Sequence, residues 1–155
     1  MTYTFTLESF ADTYPEMQAI YRQHYREMEK RLRAEGVDIP PFAPRVEQYR
    51  KANEAGYMLL YVVRDEDGRA VGHSSIYLTN DMHNGEFIAQ EDTIYILPDH
   101  RNGVGRKLVR AILADLKQRG VKRVIITPVT DLRVGKIWQR MGFKPVAQVM
   151  TYSFQ

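Results

Sequence analysis

Asp92-Thr-Ile-Tyr-Ile-Leu-Pro98-Asp-His-Arg-Asn-Gly103-Val-Gly105-Arg-Lys-Leu-Val-Arg-Ala-Ile-Leu113 carries a β-branched and aromatic run into a glycine turn that opens directly into an amphipathic segment. The first turn of a helix leaves its amide donors unpaired, and the aligned peptide dipoles make that end partly positive. Gly103 and Gly105 let the backbone approach an anion without β-carbons in the way. Such a strand-turn-helix suits a phosphate or diphosphate, with Arg101, Arg106 and Lys107 as nearby positive charge. A P-loop requires Lys followed by Ser or Thr after the second glycine, and Arg106-Lys107-Leu108 does not supply it. A dinucleotide fingerprint requires a third Gly or Ala where Leu108 stands.

Working outward, Phe87 to Leu97 reads as the strand that enters the turn, and Val104 to Arg119 as the helix that leaves it, stopped by Gly120. Val121 to Thr127 predicts a short buried strand, Asp131 to Met141 a helix ended by Gly142, and Phe143 to Phe154 a final strand pair. Upstream, Tyr57 to Arg64 and Arg69 to Leu78 flank Asp65-Glu66-Asp67-Gly68, a hairpin signal, and Thr79 to Glu86 reads as a polar loop. Thr2 to Leu7 alternates as a strand does. Thr13-Tyr14-Pro15-Glu16 offers a capping box for a helix with apolar positions at Ile20, Tyr21, His24, Tyr25, Met28 and Leu32, ended by Gly36. Three prolines stiffen Asp38 to Pro44, and a shorter helix is expected from Arg45 to Ala55. Strand and helix alternate in the latter half, which implies some parallel pairing in a mixed α/β sheet.

The chain has 155 residues, 44% hydrophobic and 26% charged, the range of one ordinary globular domain. No apolar run approaches the roughly 20 residues that cross a bilayer, and Met1 to Ser9 has no basic start followed by an apolar stretch. No membrane role and a cytoplasmic location are therefore expected. There is no cysteine, which excludes disulfides, thiolate nucleophiles and cysteine-ligated metals. The net charge of +3 and basic residues spread along helices argue against a nucleic-acid partner. His73, His83 and His100 match no ligand spacing, so no metal is expected.

His100-Arg101-Asn102-Gly103-Val104-Gly105 resembles the acyl-CoA loop of the GNAT superfamily of N-acetyltransferases, Gln/Arg-x-x-Gly-x-Gly/Ala, with histidine at the first position. An alternative alignment keeps Arg101 as the arginine and shortens the loop by one residue. Ile137-Trp138-Gln-Arg-Met141-Gly142-Phe143 is similar to the late signature in which a helix ends in Gly-Phe. The superfamily's element order, β-α-α-β-β-β-α-β-α-β-β around a splayed mixed sheet, matches the reading above over a single domain spanning 1–155. The stretch from Gln90 to Leu108 and the proline-rich segment also resemble a phage-encoded branch.

The resemblance implies acetyl-CoA as cosubstrate and direct acetyl transfer to a primary amine of a small molecule or of a protein lysine or N-terminus. The backbone of Ile94, Tyr95, Ile96 and Leu97 would face the pantetheine and acetyl groups, and the amides from Asn102, Gly103, Val104, Gly105 and Arg106, with Arg101, would hold the diphosphate. Family members often place an acid on the cofactor strand. Here the candidates are Glu91 and Asp92, which alternate across a regular strand, so one of the two is expected in the cleft, Asp92 sharing its side with Ile94 and Ile96. The tyrosine that protonates the leaving thiolate in many relatives is replaced by Trp138, which cannot act as an acid and would either pack on the cofactor or serve the core. Asp131 stands where many relatives have asparagine. The acceptor pocket is expected from the first two helices, the Thr79 to Glu86 loop and the terminal hairpin, with Tyr77 and Tyr95 either polar-tipped cleft residues or ordinary strand residues. Two further readings remain: an inactive GNAT-fold structural or morphogenetic phage protein meeting virion proteins in the host cytoplasm, and a CoA-binding regulator. A homodimer through the terminal strands is a further expectation.

Overall fold

Alternation near the N-terminus becomes strand in the computed structural model, which describes residues 2–154: β1 (Thr4–Leu7) is followed by α1 (Phe10–Ala34) and α2 (Val46–Glu54). The hairpin signal holds, with β2 (Met58–Arg64) and β3 (Ala70–Asn80) joined by a turn in which the Asp65 carboxylate accepts from the Asp67 and Arg69 amides at 2.9 and 3.0 Å. Then come β4 (Phe87–Ile96), a 3-10 turn over Pro98–His100, α3 (Val104–Gln118), β5 (Arg123–Ile125) and α4 (Val134–Arg140). The sheet order is β1-β2-β3-β4-β5, antiparallel except for the parallel β4–β5 pair. This is the mixed α/β sheet that the element order predicts.

The chain divides into two compact units, Met1–Tyr21 with Ala43–Ile126, and Arg22–Phe42 with Thr127–Gln155. In the first, the sheet carries apolar side chains on both faces. Val104, Leu108, Ile112 and Leu116 of α3 pack with Leu59, Tyr61, Val63, Ile76 and Ile96. Phe10, Met17 and Ile20 of α1 and Ala52 of α2 pack with Met58, Leu60, Val62 and Tyr95. Every residue of β2 but the last is buried, as expected of a strand covered on both faces. In the second unit, Arg22 lies over the Phe42 ring at 5.4 Å, the Tyr25 hydroxyl donates to the Pro40 carbonyl, and His24 Nε2 meets Thr130 Oγ1 at 3.3 Å.

Two expectations fail. The helix starts at Phe10, not after a Thr13 cap: the Ser9 hydroxyl accepts from the Asp12 amide at 3.3 Å, and the buried Thr13 donates to the Ser9 carbonyl at 2.8 Å. Pro15 therefore lies inside the helix, and its missing amide deprives the carbonyl of the exposed Ala11 of a helical donor, a loss water can make good. The final strand pair is also absent among the described residues. Residues 143–154 form no strand, and Val146, Met150, Tyr152 and Phe154 are 81–91% exposed. Their alternation supplies a strand pattern, but a strand exists only where its amides find a partner.

Candidate functional site

The turn before α3 is built by Gly103, whose φ of 81° is a conformation that costs other residues energy. Its own amide is used within the turn, donating to the Arg101 carbonyl at 2.7 Å, and the first helical bond runs from the Lys107 amide to the Gly103 carbonyl at 3.3 Å. No side chain caps this end of α3. The amides of Val104, Gly105 and Arg106 therefore open from the first turn with no intrahelical acceptor. Space around them is open: a β-carbon on Gly103 would meet nothing within 4 Å, and one on Gly105 only Ile96 Cγ1 at 4.0 Å. Asn102 and Arg106 are exposed, while Val104 is buried and anchors the turn to the core.

Two side chains beside this turn are oriented by contacts that the motif does not reveal. Arg101 turns back, its Nε donating to the Ile96 carbonyl at 2.8 Å and its guanidinium lying 5.3 Å from the Tyr95 ring centroid. His100 is held by Tyr3, hydroxyl to Nδ1 at 2.9 Å with the rings edge to face. Leu97 closes the strand, its amide donating to the Val71 carbonyl at 2.8 Å.

β4 and β5 diverge beside the turn. Their parallel register covers only Ile88–Arg123, Ala89–Val124 and Gln90–Ile125, whereas β4 continues to Ile96 on β3 alone. Glu91 and Asp92 thus sit where the fork opens. The two acids lie on different sides as expected, but a β-bulge overturns the expectation that Asp92 shares its side with Ile94 and Ile96: Ile76 of β3 faces Glu91, but the adjacent Ser75 faces Thr93, so Asp92 has no opposite number. Glu91 consequently shares its face with Ile76 and the α3-side core, together with Ile94 and Ile96. Asp92 turns the other way, accepting from the Tyr49 hydroxyl of α2 at 2.7 Å. Both acids are brought to the fork, on different sides.

Desolvation, reinforced by the negative charge of Asp92, pushes the Glu91 carboxyl up to about 8. Burial also raises the Asp92 carboxyl, opposed by the hydrogen bond from Tyr49. Asp92 is nonetheless exposed to water, the combination expected of a group on the wall of a concave opening. Desolvation first and Asp92 second raise the Tyr49 and Tyr77 hydroxyls. Behind them Phe10 stacks with Tyr49 and Tyr21 at 5.4 and 6.4 Å, and Tyr21 stands edge-on to the buried His73 at 4.8 Å. His73 Nδ1 in turn meets Thr93 Oγ1 at 3.2 Å, which makes it a packed strand residue. His83 is bonded to Asp81 at 3.1 Å in the turn after β3.

Tyr49 and Tyr3 were not legible as site residues, because nothing in the sequence pairs α2 with β4 or the first strand with the glycine turn. Trp138 belongs to the second unit, where it is 5% exposed and tilted against Phe143 at 6.3 Å, a packed core residue. No group of three potential metal ligands and no helix long and apolar enough to cross a membrane occurs among the described residues.

An uncapped helix start thus stands beside a mixed sheet whose one parallel pair is short. The profile of the acetyltransferase (GNAT) family matches residues 14–143, and the chain belongs to that family, whose members in general use acetyl-CoA. No curated protein sequence matches the chain. Among solved structures, a point mutant of the BH1408 protein from Bacillus halodurans superposes with a TM-score of 0.77 at 16% identity, covering 98% of this chain and 99% of that one. An aminoglycoside acetyltransferase from an uncultured soil metagenomic sample gives 0.70 at 13%, covering both chains in full (100%). The ribosomal-protein-alanine N-acetyltransferase of Brucella melitensis biovar Abortus 2308 gives 0.68 at 16%, covering 98% and 99%. At these identities the likeness concerns the fold.

Proposed function

We propose that the chain, as one domain over 1–155, transfers an acetyl group from acetyl-CoA directly to a primary amine. The observation that carries this reading is the uncapped first turn of α3 lying beside the fork of β4 and β5, with Glu91 at the fork. The amides of Val104, Gly105 and Arg106, with the exposed Asn102, bind the diphosphate, and Arg101 and Arg106 add positive charge. The edge of β4 at Ile96 and Leu97, free of β5, receives the pantetheine arm. The thioester supplies the activated acetyl group.

Direct transfer needs the amine in its neutral form, so a base must take the ammonium proton. Glu91, held at about 8, is matched to an aliphatic ammonium far better than an ordinary carboxylate. It takes one proton from the incoming ammonium, directly or through a water; the nitrogen lone pair then forms the new C–N bond as the C–S bond breaks, and the acylated nitrogen releases a second proton to water. Trp138 stands where many relatives have a tyrosine and supplies no acid, and none is required: a thiolate is a competent leaving group and takes up, through water, the proton that the nitrogen releases.

Calorimetry with acetyl-CoA and acetylation of an amine panel test the proposal together. The wild type should bind and turn over, and Gly103→Glu, which adds a negative charge and a β-carbon at φ 81°, should abolish binding. No binding by a folded wild type discards the reading. The Trp138 substitution favours a second reading, a retained CoA-binding fold without catalysis, which predicts binding without turnover on every amine.

A further inference from the structure

Resting on that reading, we propose that the acceptor is a compact primary amine carrying a second positive charge, and that Asp92, fixed by Tyr49, is the anchor for that second charge. Each carboxylate has a separate place. The bulge turns Glu91 toward the α3-side face, with the β4 edge that runs to Ile96, and turns Asp92 toward α2. One acid is thereby left for the reacting nitrogen and the other for a second charge on the acceptor.

The groups facing Asp92 come from every element packed around it. They are Tyr49 from α2, bonded at 2.7 Å, Tyr77 from β3 and Glu91 beside it on β4; Tyr57 stands next to Tyr77, and Tyr21 of α1 next to Tyr49. None of these is a cation. Phenolic rings with a carboxylate between them are the chemistry that selects an ammonium, by charge and by the negative faces of the rings. An acidic amine would place like charge against Asp92, and a neutral one would leave it unmatched. Tyr49 is a positioning residue: it holds one oxygen of Asp92 and leaves the other for the substrate.

The test compares butane-1,4-diamine, butylamine and 4-aminobutanoate as acceptors, with acetyl-CoA binding measured in parallel. The wild type should favour the diamine over butylamine by about tenfold in kcat/KM, the worth of one charge-assisted contact, with 4-aminobutanoate poorest. Asp92→Asn should bring the diamine down to the level of butylamine. Tyr49→Phe should raise the diamine KM by about fivefold, with a smaller change in kcat, a split that a merely loosened fold would not give. Equal use of diamine and butylamine by an active wild type, or a diamine preference that survives Asp92→Asn, overturns this inference and leaves acetyl transfer standing. Absence of acetyl-CoA binding overturns both.

Discussion

Glu91 is the residue whose chemistry differs most from its free form, and two measurements follow from that. As the base, it must be ionised in the free enzyme, so kcat/KM should rise with pH and level off above an apparent value near 8. Glu91→Gln should lower kcat by about a hundredfold or more and abolish that limb of the profile. The same shift bears on stability with a definite sign. The folded chain binds this proton more tightly than the unfolded chain, so stability falls as pH rises from the ordinary value of 4.5 to about 8. Glu91→Gln removes the decline. With partial exposure discounted, the variant should gain roughly 2 kcal/mol over wild type between pH 5 and pH 8, read by chemical denaturation at the two values. A variant that is no more stable at pH 8 would mean that the carboxylate is already solvated there.

At the scale of elements, the sheet brings the site together through a close approach at Gly72 and a bulge at Asp92. Gly72 of β3 pairs with Ile96, and a β-carbon there would lie 2.5 Å from Ile96 Cδ1 and 2.7 Å from the Tyr95 carbonyl oxygen. The backbone atom cannot swing away, so Gly72→Ala must push β3 from β4 where Ile96 and Leu97 form the open edge. A loss of about 2 kcal/mol in stability is expected, with weaker acetyl-CoA binding measured by calorimetry at a temperature where the variant remains folded. An unchanged melting temperature would contradict the geometry.

These elements also show what a sequence can reveal. The glycine turn was readable because its demands are local: a positive φ at Gly103, open space at Gly105 and a first turn without a capping side chain are all met within the span of the motif. The placement of Glu91 and Asp92 was not, because alternation assumes one-to-one pairing, and whether β4 carries one residue more than β3 opposite it depends on the register of both strands. The terminal segment failed for the related reason that a strand pattern says nothing of what will pair with it. Ser9 displaced Thr13 as the cap because Phe10 packs in the core with Met17 and Ile20, and that burial extends the helix upstream of the better-looking box.

For the molecule as a whole, several segments of the first unit are tied together by one arginine. Arg64, at the end of β2, gives its Nε and Nη2 to the two oxygens of Glu8 at 3.0 and 2.8 Å, and its Nη1 to Glu16 and to the Gly68 carbonyl, each at 2.8 Å. Glu16 also accepts from the Ala70 amide at 3.3 Å. The link after β1, the first turns of α1, the β2–β3 turn and the start of β3 are thereby joined through a single guanidinium. The hydrogen bonds from Arg64 hold both glutamates below their ordinary value. Their contribution is therefore present above about 4.5 and fades as pH falls through that value toward the depressed ones. The Arg64–Glu8 pair is partly buried, with 21% and 19% exposed, and is screened less than a surface pair, whereas Glu16 is 44% exposed and contributes less. Arg64→Met should cost about 2 kcal/mol at pH 7, and the gap from wild type should close as the solution approaches pH 3. Arg64→Lys, which keeps the charge and loses the fork, should recover less than half of that stability in the same denaturation series. A constant gap from pH 7 to pH 3 would show that Arg64 acts through the packing of its stem alone.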